Sequence, residues 1–373
     1  RRIAALERRK IEEEYKEKLR EIAYLEDLLT HPKKILKVIR AELEDLKARY
    51  ADPRRTQIVS RAEQPLTARD LLPDETVAVV LGEDGEMARW PAPEDAAGWK
   101  PILAARGKVH PAACAVLNTR QDLLCITARG EAAAVPAHRV PEAGTAHVAD
   151  LCGLTRRDRV VALLPLPHEA EGAYLFLATA QGQVKRVRAE EARTAAARGV
   201  TPVIQVSDGD EPVAALLTDG SQEVILVSSE GRAIRFGEDQ VRPMGLPAGG
   251  VAGMRLGRGA RVVAAQAVES RASLVVVTEG GYAKRSDLDE YPVQGRGGAG
   301  VLTARVSAET GPVVGAVVAR ASDQVWVRTV RRLWTGQARR VPKQGRATRG
   351  ERLSIAARDR AVRVMRAPRT PEG

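Results

Sequence analysis

Aromatic side chains are nearly absent: Phe, Trp and Tyr together make up 3% of the 373 residues, against 44% hydrophobic residues in all. The core must therefore be aliphatic, built from Val, Leu, Ile and Ala. Long apolar runs are also missing, and no window approaches the roughly 18 residues of a membrane-spanning helix, which excludes a helical membrane protein. Cys114, Cys125 and Cys152 form no Cys-x-x-Cys pair. A disulfide scaffold or zinc ribbon is excluded, and a reducing cytoplasm is the expected compartment. His31, His110, His138, His147 and His168 stand apart, none paired at helical ligand spacing, so no metal site is expected. The chain opens on Arg1 with no basic-then-apolar leader, so the expectation is a piece of a longer polypeptide without a secretory signal.

Charge is plentiful and unevenly placed. The formal net charge is +11 with 59 basic and 48 acidic residues, and residues 301–373 hold 16 basic and 5 acidic side chains. The first 300 residues are thus balanced, and the whole excess sits in the last fifth of the chain. Clustered basic residues at high pI are the electrostatic footprint of a polyanion binder.

At this length the chain predicts two domains or an array of repeats. Residues 1–50 contain no glycine and carry apolar residues at helical spacing: Ile11, Tyr15, Leu19, Ile22, Leu25, Leu28 and Leu29. Thr30 and Pro32 mark a break, Thr as a cap and Pro in a first turn. A second stripe follows at Leu36, Ile39, Leu43, Leu46 and Tyr50, stopping near Ala51-Asp52-Pro53. Long charged helices with a narrow apolar seam predict a coiled coil or antiparallel arm.

From about residue 70 short β runs replace the helical pattern. Turn glycines Gly85, Gly130, Gly182, Gly231 and Gly281, with Arg331 in the sixth place, are spaced by 45, 52, 49, 50 and 50 residues. A second landmark, Gly199, Gly250, Gly300 and Gly350, keeps the same phase at 51, 50 and 50. Six copies of about 50 residues, four strands to a unit, predict a mainly β, propeller-like array in which closure removes exposed sheet edges.

The fourth residue after each turn glycine is Arg89, Ala134, Arg186, Arg235 and Arg285, with Thr335 in the last copy; Lys185 and Lys284 sit beside two of them. In a ring of equivalent blades these cations would form a belt on the outer edge. With few aromatics, such a belt suits duplex phosphate better than single strands, which need stacking platforms. The expected contacts are Arg89, Lys185, Arg186, Arg235, Lys284, Arg285, Arg296, Arg331 and Arg332, with Arg339, Arg340, Lys343 and Arg346 on the basic last blade. A rival reading is a protein-interaction scaffold whose charge only solvates it. A propeller enzyme would need acidic or His residues converging on a channel, which the scattered histidines do not supply.

Several stretches resemble a known family. They are Asp52-Pro53-Arg54-Arg55-Thr56-Gln57-Ile58, Asp70-Leu71-Leu72-Pro73-Asp74-Glu75, Val241-Arg242-Pro243-Met244-Gly245 with Gly250-Val251-Ala252-Gly253-Met254-Arg255-Leu256, and Gly280-Gly281-Tyr282-Ala283-Lys284-Arg285. Together with the helices and repeats they resemble the C-terminal region of the A subunits of DNA gyrase and topoisomerase IV, in the family's order. The resemblance implies a helical coiled-coil arm at 1–58 leading out of a cleavage core that this chain lacks, a linker at 59–69, a six-bladed DNA-wrapping β-pinwheel at 70–366 and a tail at 367–373. The partners it implies are duplex DNA, a second copy of the same gyrase-type polypeptide and the topoisomerase B (ATPase) subunit, in the bacterial cytoplasm with the nucleoid. No cofactor is expected in this fragment, ATP and Mg belonging to the full enzyme with its B subunit. Its role would be to present bent duplex for ATP-dependent strand passage. Gyrase carries a Gln-Arg-Arg-Gly-Gly-Lys-Gly box in its first blade, and residues 91–102 contain nothing like it. The nearest match is Gln294-Gly295-Arg296-Gly297-Gly298-Ala299-Gly300 in the fifth repeat, with two of three basic residues replaced. A relaxing or decatenating enzyme and a divergent gyrase both remain open. Arg49-Tyr50 has the look of the family's catalytic pair, but Tyr50 ends a charged helix and is expected to be a packing residue, so no catalytic residue is assigned.

Overall fold

The computed structural model describes residues 2–51, 71–107, 109–166, 172–356 and 358–369. The junction at 52–58, the linker at 59–69, Asp70, His168 and the end of the tail from residue 370 lie outside the described residues. The chain divides into two compact units, Arg1–Pro65 and Leu66–Gly373.

The first unit consists of helices α1 (Arg2–Thr30) and α2 (Pro32–Tyr50). Pro32 occupies the first turn of α2, as expected. Thr30 does not cap it: its hydroxyl donates back to the carbonyls of Glu26 and Asp27, and His31 holds the N-cap position without a side-chain bond. The apolar stripe is present but uncovered, with Ile11, Leu19, Leu36 and Leu43 all exposed. Tyr50 is 76% exposed, which corrects its expected packing role.

Among the described residues the second unit is built of six antiparallel sheets, five with four strands and the last with three. In blade 4 the centre strand Glu223–Ser228 pairs on one side with Val262–Ala267 and on the other with Arg232–Gly237. Strands equivalent to Val262–Ala267 contact one another from blade to blade and so line the centre. The fourth strand is borrowed. Val301–Leu302, which follows the hairpin of the fifth repeat, pairs with Arg232–Gly237 of blade 4, and the same exchange recurs in the four other four-stranded sheets. The segment that carries each borrowed strand, running from the end of a third strand back across the preceding blade, is termed a strap below. Among the described residues five repeats thus supply four strands each, as expected, but one of the four completes the preceding blade.

Strand exchange explains why two glycine landmarks share one period. Gly231 has φ of 79° in its turn, and a Cβ there would collide with the carbonyl of Ala304 in the strap. Gly300, φ 68°, lies on the strap side of the same junction, against the carbonyl of Ala233. Thr303 and Ala304 donate to the Gly231 carbonyl at 2.7 and 3.1 Å.

The core lies between blades. Val224, Leu226, Ile234 and Phe236 of blade 4 pack with Phe176, Ala178 and Val184 of blade 3. No blade can bury its apolar faces alone, so burial couples neighbours around the array. Between first and last blades, Trp99 of α3 (Trp99–Ala105) meets Trp326 edge to face at 5.3 Å, both rings buried.

Candidate nucleic-acid interface

The cations predicted to form the belt are not on an exposed rim. Lys185 is fully buried and its Nζ donates to the carbonyls of Val203 and Leu246 at 2.8 and 2.6 Å. Lys284 is 1% exposed and grips the carbonyls of Gly345 and Arg346 in the next strap. Burial lowers the pKa of each to about 8. Arg186 lies 3.7 Å from the Glu238 carboxylate, donates to the Gly220 carbonyl and stacks over the Tyr174 ring. Arg235 is paired with Glu223 and donates to the Leu288 carbonyl at 2.7 Å. Arg89 pairs with Glu142, and Arg285 donates to the Val341 carbonyl at 3.0 Å.

The reason is the exchanged strap. It covers the outer side of the third strand in blades 1 to 5, so the arginines four after the turn glycine face a neighbour's carbonyls and carboxylates rather than water. Arg89, Lys185, Arg186, Arg235, Lys284 and Arg285 are braces between blades, and the expected outward belt is corrected accordingly.

The remaining predicted cations stand differently. Arg331, Arg332, Arg339, Arg340, Lys343 and Arg296 are exposed, and Arg346 is half-buried. Arg331 and Arg332 lie on the last hairpin turn, and Arg339 and Arg340 end the short helix Ala338–Arg340. Lys343 is paired with Asp287 at 2.7 Å. Residues 294–300 do form a tight loop, Gly297 with φ 79°. Within it, Arg296 donates from Nε to the Gln240 carbonyl and from Nη1 to the Ala252 carbonyl, both at 3.0 Å. Fifty residues on, Arg346 repeats the second contact on the Leu302 carbonyl. Each guanidinium anchors its strap with one edge and keeps further N–H donors for a ligand.

Two residues escaped the sequence reading. Arg255 and Arg305 are exposed and 50 residues apart, just beyond successive borrowed strands. Their backbone amides donate to Gly298 and Thr348 in the following straps, at 2.9 and 3.1 Å. Arg255 is thereby set beside the loop of Arg296, and Arg305 beside that of Arg346. The signal was the period itself, applied at a position away from the turn glycine. Exposed guanidinium groups at repeating positions can neutralise successive phosphates of a polyanion and carry no base-reading geometry. Among the described residues no group of three or more His, Cys, Asp or Glu is placed to hold a metal ion, and no helix is long and apolar enough to cross a membrane.

In class this is a six-bladed propeller-like array of interlocked repeats with a cationic surface on its last blades. The family model described as "DNA gyrase C-terminal domain, beta-propeller" matches residues 173–219, 222–269 and 272–320. The DNA gyrase A subunit of Mycolicibacterium smegmatis (strain ATCC 700084 / mc(2)155) is 33% identical over 98% of this chain and 45% of its own length. That of Salmonella typhimurium is 34% identical over 96% and 42%. The chain thus spans about half the length of the curated relatives it matches. The solved C-terminal domain of DNA topoisomerase IV superposes with a TM-score of 0.68 at 26% identity, covering 79% of this chain and 94% of that one. A DNA gyrase A C-terminal domain gives 0.66 at 22%, a likeness of fold. The chain belongs to the family of the gyrase and topoisomerase IV A subunits and carries their C-terminal domain, as its motifs implied.

Proposed function

We propose that the repeat unit holds duplex DNA on its exposed strap and last-blade cations, bending it toward the cleavage core of a full type II topoisomerase. Strand passage would draw on ATP and Mg bound with the partner B subunit, in an assembly with a second copy of the gyrase-type polypeptide in the bacterial cytoplasm. The observation that supports this reading most is the recurrence of Arg255 with Arg305, and of Arg296 with Arg346, at one period along successive blades. The helices, with their bare apolar stripe, would serve as the coiled-coil arm. Bending 20–30 base pairs through 40–90° costs on the order of 1–6 kcal/mol, a range several phosphate contacts offset.

Residues 91–102, where the family's box would lie, offer Lys100 as their described cation beside Glu94 and Asp95, and part of this stretch is wound into α3. Without a basic box at the junction of first and last blades, the reading favours relaxation or decatenation over negative supercoiling.

The test is equilibrium binding of a random-sequence duplex across a salt series. Binding by phosphate contact gives a log–log slope of about −0.9 for each phosphate neutralised. A slope near zero would support a protein scaffold instead. A topology assay on nicked and religated minicircles would then show whether bound duplex is wrapped.

A further inference from the structure

Five blades end in a strand donated by the next repeat, always at equivalent positions. Val301 and Leu302 pair with Ala233 and Arg232; Glu351 and Arg352 pair with Ala283 and Tyr282. Two residues on, the third strand meets the strap again: Arg285 donates to the Pro342 carbonyl, and Gln344 donates to that of Arg285. The same period places the equivalents in blade 6 at Arg332, Leu333 and Thr335, on and beside strand Leu333–Gln337. Around the ring the next strap is that of the first repeat, and it forms a helical segment that sets Trp99 on Trp326 instead of pairing with the strand. Among the described residues, blade 6 therefore keeps three strands. Its outer edge opens on a cleft of about 940 Å³.

We propose that this edge is a docking slot for an extended acidic peptide of another protein, which adds as the fourth strand of blade 6. The cleft is lined by Lys100, Arg331, Arg332 and Arg340, and no acidic side chain is among its described lining residues. Arg332 and Arg340 take part in no ion pair among the described residues. A strand edge presents alternating N–H donors and C=O acceptors, a pattern that another peptide backbone matches. A phosphate backbone offers acceptors alone and leaves the carbonyls unmet. Two of the five borrowed strands place small or branched aliphatics after a close-approach glycine, Gly250-Val251-Ala252 and Gly300-Val301-Leu302, and the probe follows them; Glu351-Arg352 shows that charged residues are accepted in the same place.

The probe is a fluorescein-labelled peptide, DEGVLDED, titrated with the whole 373-residue chain and followed by anisotropy. Saturable binding is expected, weakened at least about tenfold by N-methylating the valine and leucine, which removes strand pairing and keeps the charge. The double variant Arg332→Glu, Arg340→Glu should weaken binding by a similar factor, and its unchanged melting temperature would show that it folds. Amide exchange at Thr335 should slow when the peptide is added. Absence of binding, or equal affinity of the N-methylated peptide, would overturn the proposal. So would a double variant that loses duplex binding while the peptide's affinity stays the same, since the cleft would then be a DNA surface.

Discussion

Arg235 reaches across a blade boundary to donate to the carbonyl oxygen of Leu288, 2.7 Å away in the following repeat. Leu288 opens the short helix Leu288–Glu290, and the same Nη1 also lies 3.4 Å from the Tyr291 carbonyl just beyond that helix. The Leu288 carbonyl also accepts the turn's own bond from the Tyr291 N–H at 3.1 Å, so the guanidinium uses the oxygen's second lone pair. The opposite edge is held by Glu223 of its own blade. This in-phase arginine thus ties repeats together.

Arg235→Ala should therefore act on folding. Loss of a half-buried charge-assisted network is expected to cost about 2–4 kcal/mol in urea unfolding. Duplex affinity of the folded fraction should stay within about twofold of the parent. A tenfold loss of affinity with unchanged stability would restore Arg235 to the DNA surface.

The reverse is expected of Arg255→Ala combined with Arg305→Ala. Both side chains are exposed and neither takes part in an ion pair among the described residues. The melting temperature should hardly move, whereas the salt slope of duplex binding should flatten by about one for each phosphate contact removed. An unchanged slope would remove these two from the interface.

Lys185 and Lys284 make stability depend on pH. Each has a folded pKa lowered to about 8 by burial, below the ordinary lysine value of 10.5. Between these values the unfolded chain binds more protons than the folded one, so stability rises with pH. The cost of burying the charge is present in full below pH 8 and gone above 10.5. Compared with Lys185→Met, the parent should gain on the order of 3 kcal/mol as pH rises through this window, read from urea unfolding at its two ends. A constant difference between the two proteins would mean that the lysine titrates at its ordinary value.

Trp99→Ala should loosen the junction of first and last blades. Its ring is 2% exposed and packs on Trp326 in a cluster that also holds Ile102 and Val116. A cost of about 3–5 kcal/mol is expected. Hydrogen exchange should speed most in Gln324–Thr329, beside the opened contact. Uniform loss of protection over all six blades would instead show that the array unfolds as one unit.

The repeat and its length were legible because both glycine landmarks are backbone requirements: Gly231 needs positive φ, and both Gly231 and Gly300 need room for a neighbouring carbonyl. Strand exchange was not legible. The borrowed strands are two residues long, as at Val251–Ala252, too short to show alternation. The misplaced belt had the same origin. Phase along the chain assigns Arg186, Arg235 and Arg285 to equivalent places, but an arginine facing water and one facing a strap carbonyl have the same spacing.

From sequence alone come an aliphatic six-fold β array, a charged helical segment before it and a cationic last blade, since period, composition and charge are properties of the chain read in line. Which cations face solvent, which hold a neighbouring blade and which sheet edge remains open were decided by folding. Those depend on what the strap of the following repeat covers, and that contact joins residues about 50 to 70 positions apart, as between Lys185 and Leu246 or Arg235 and Leu288.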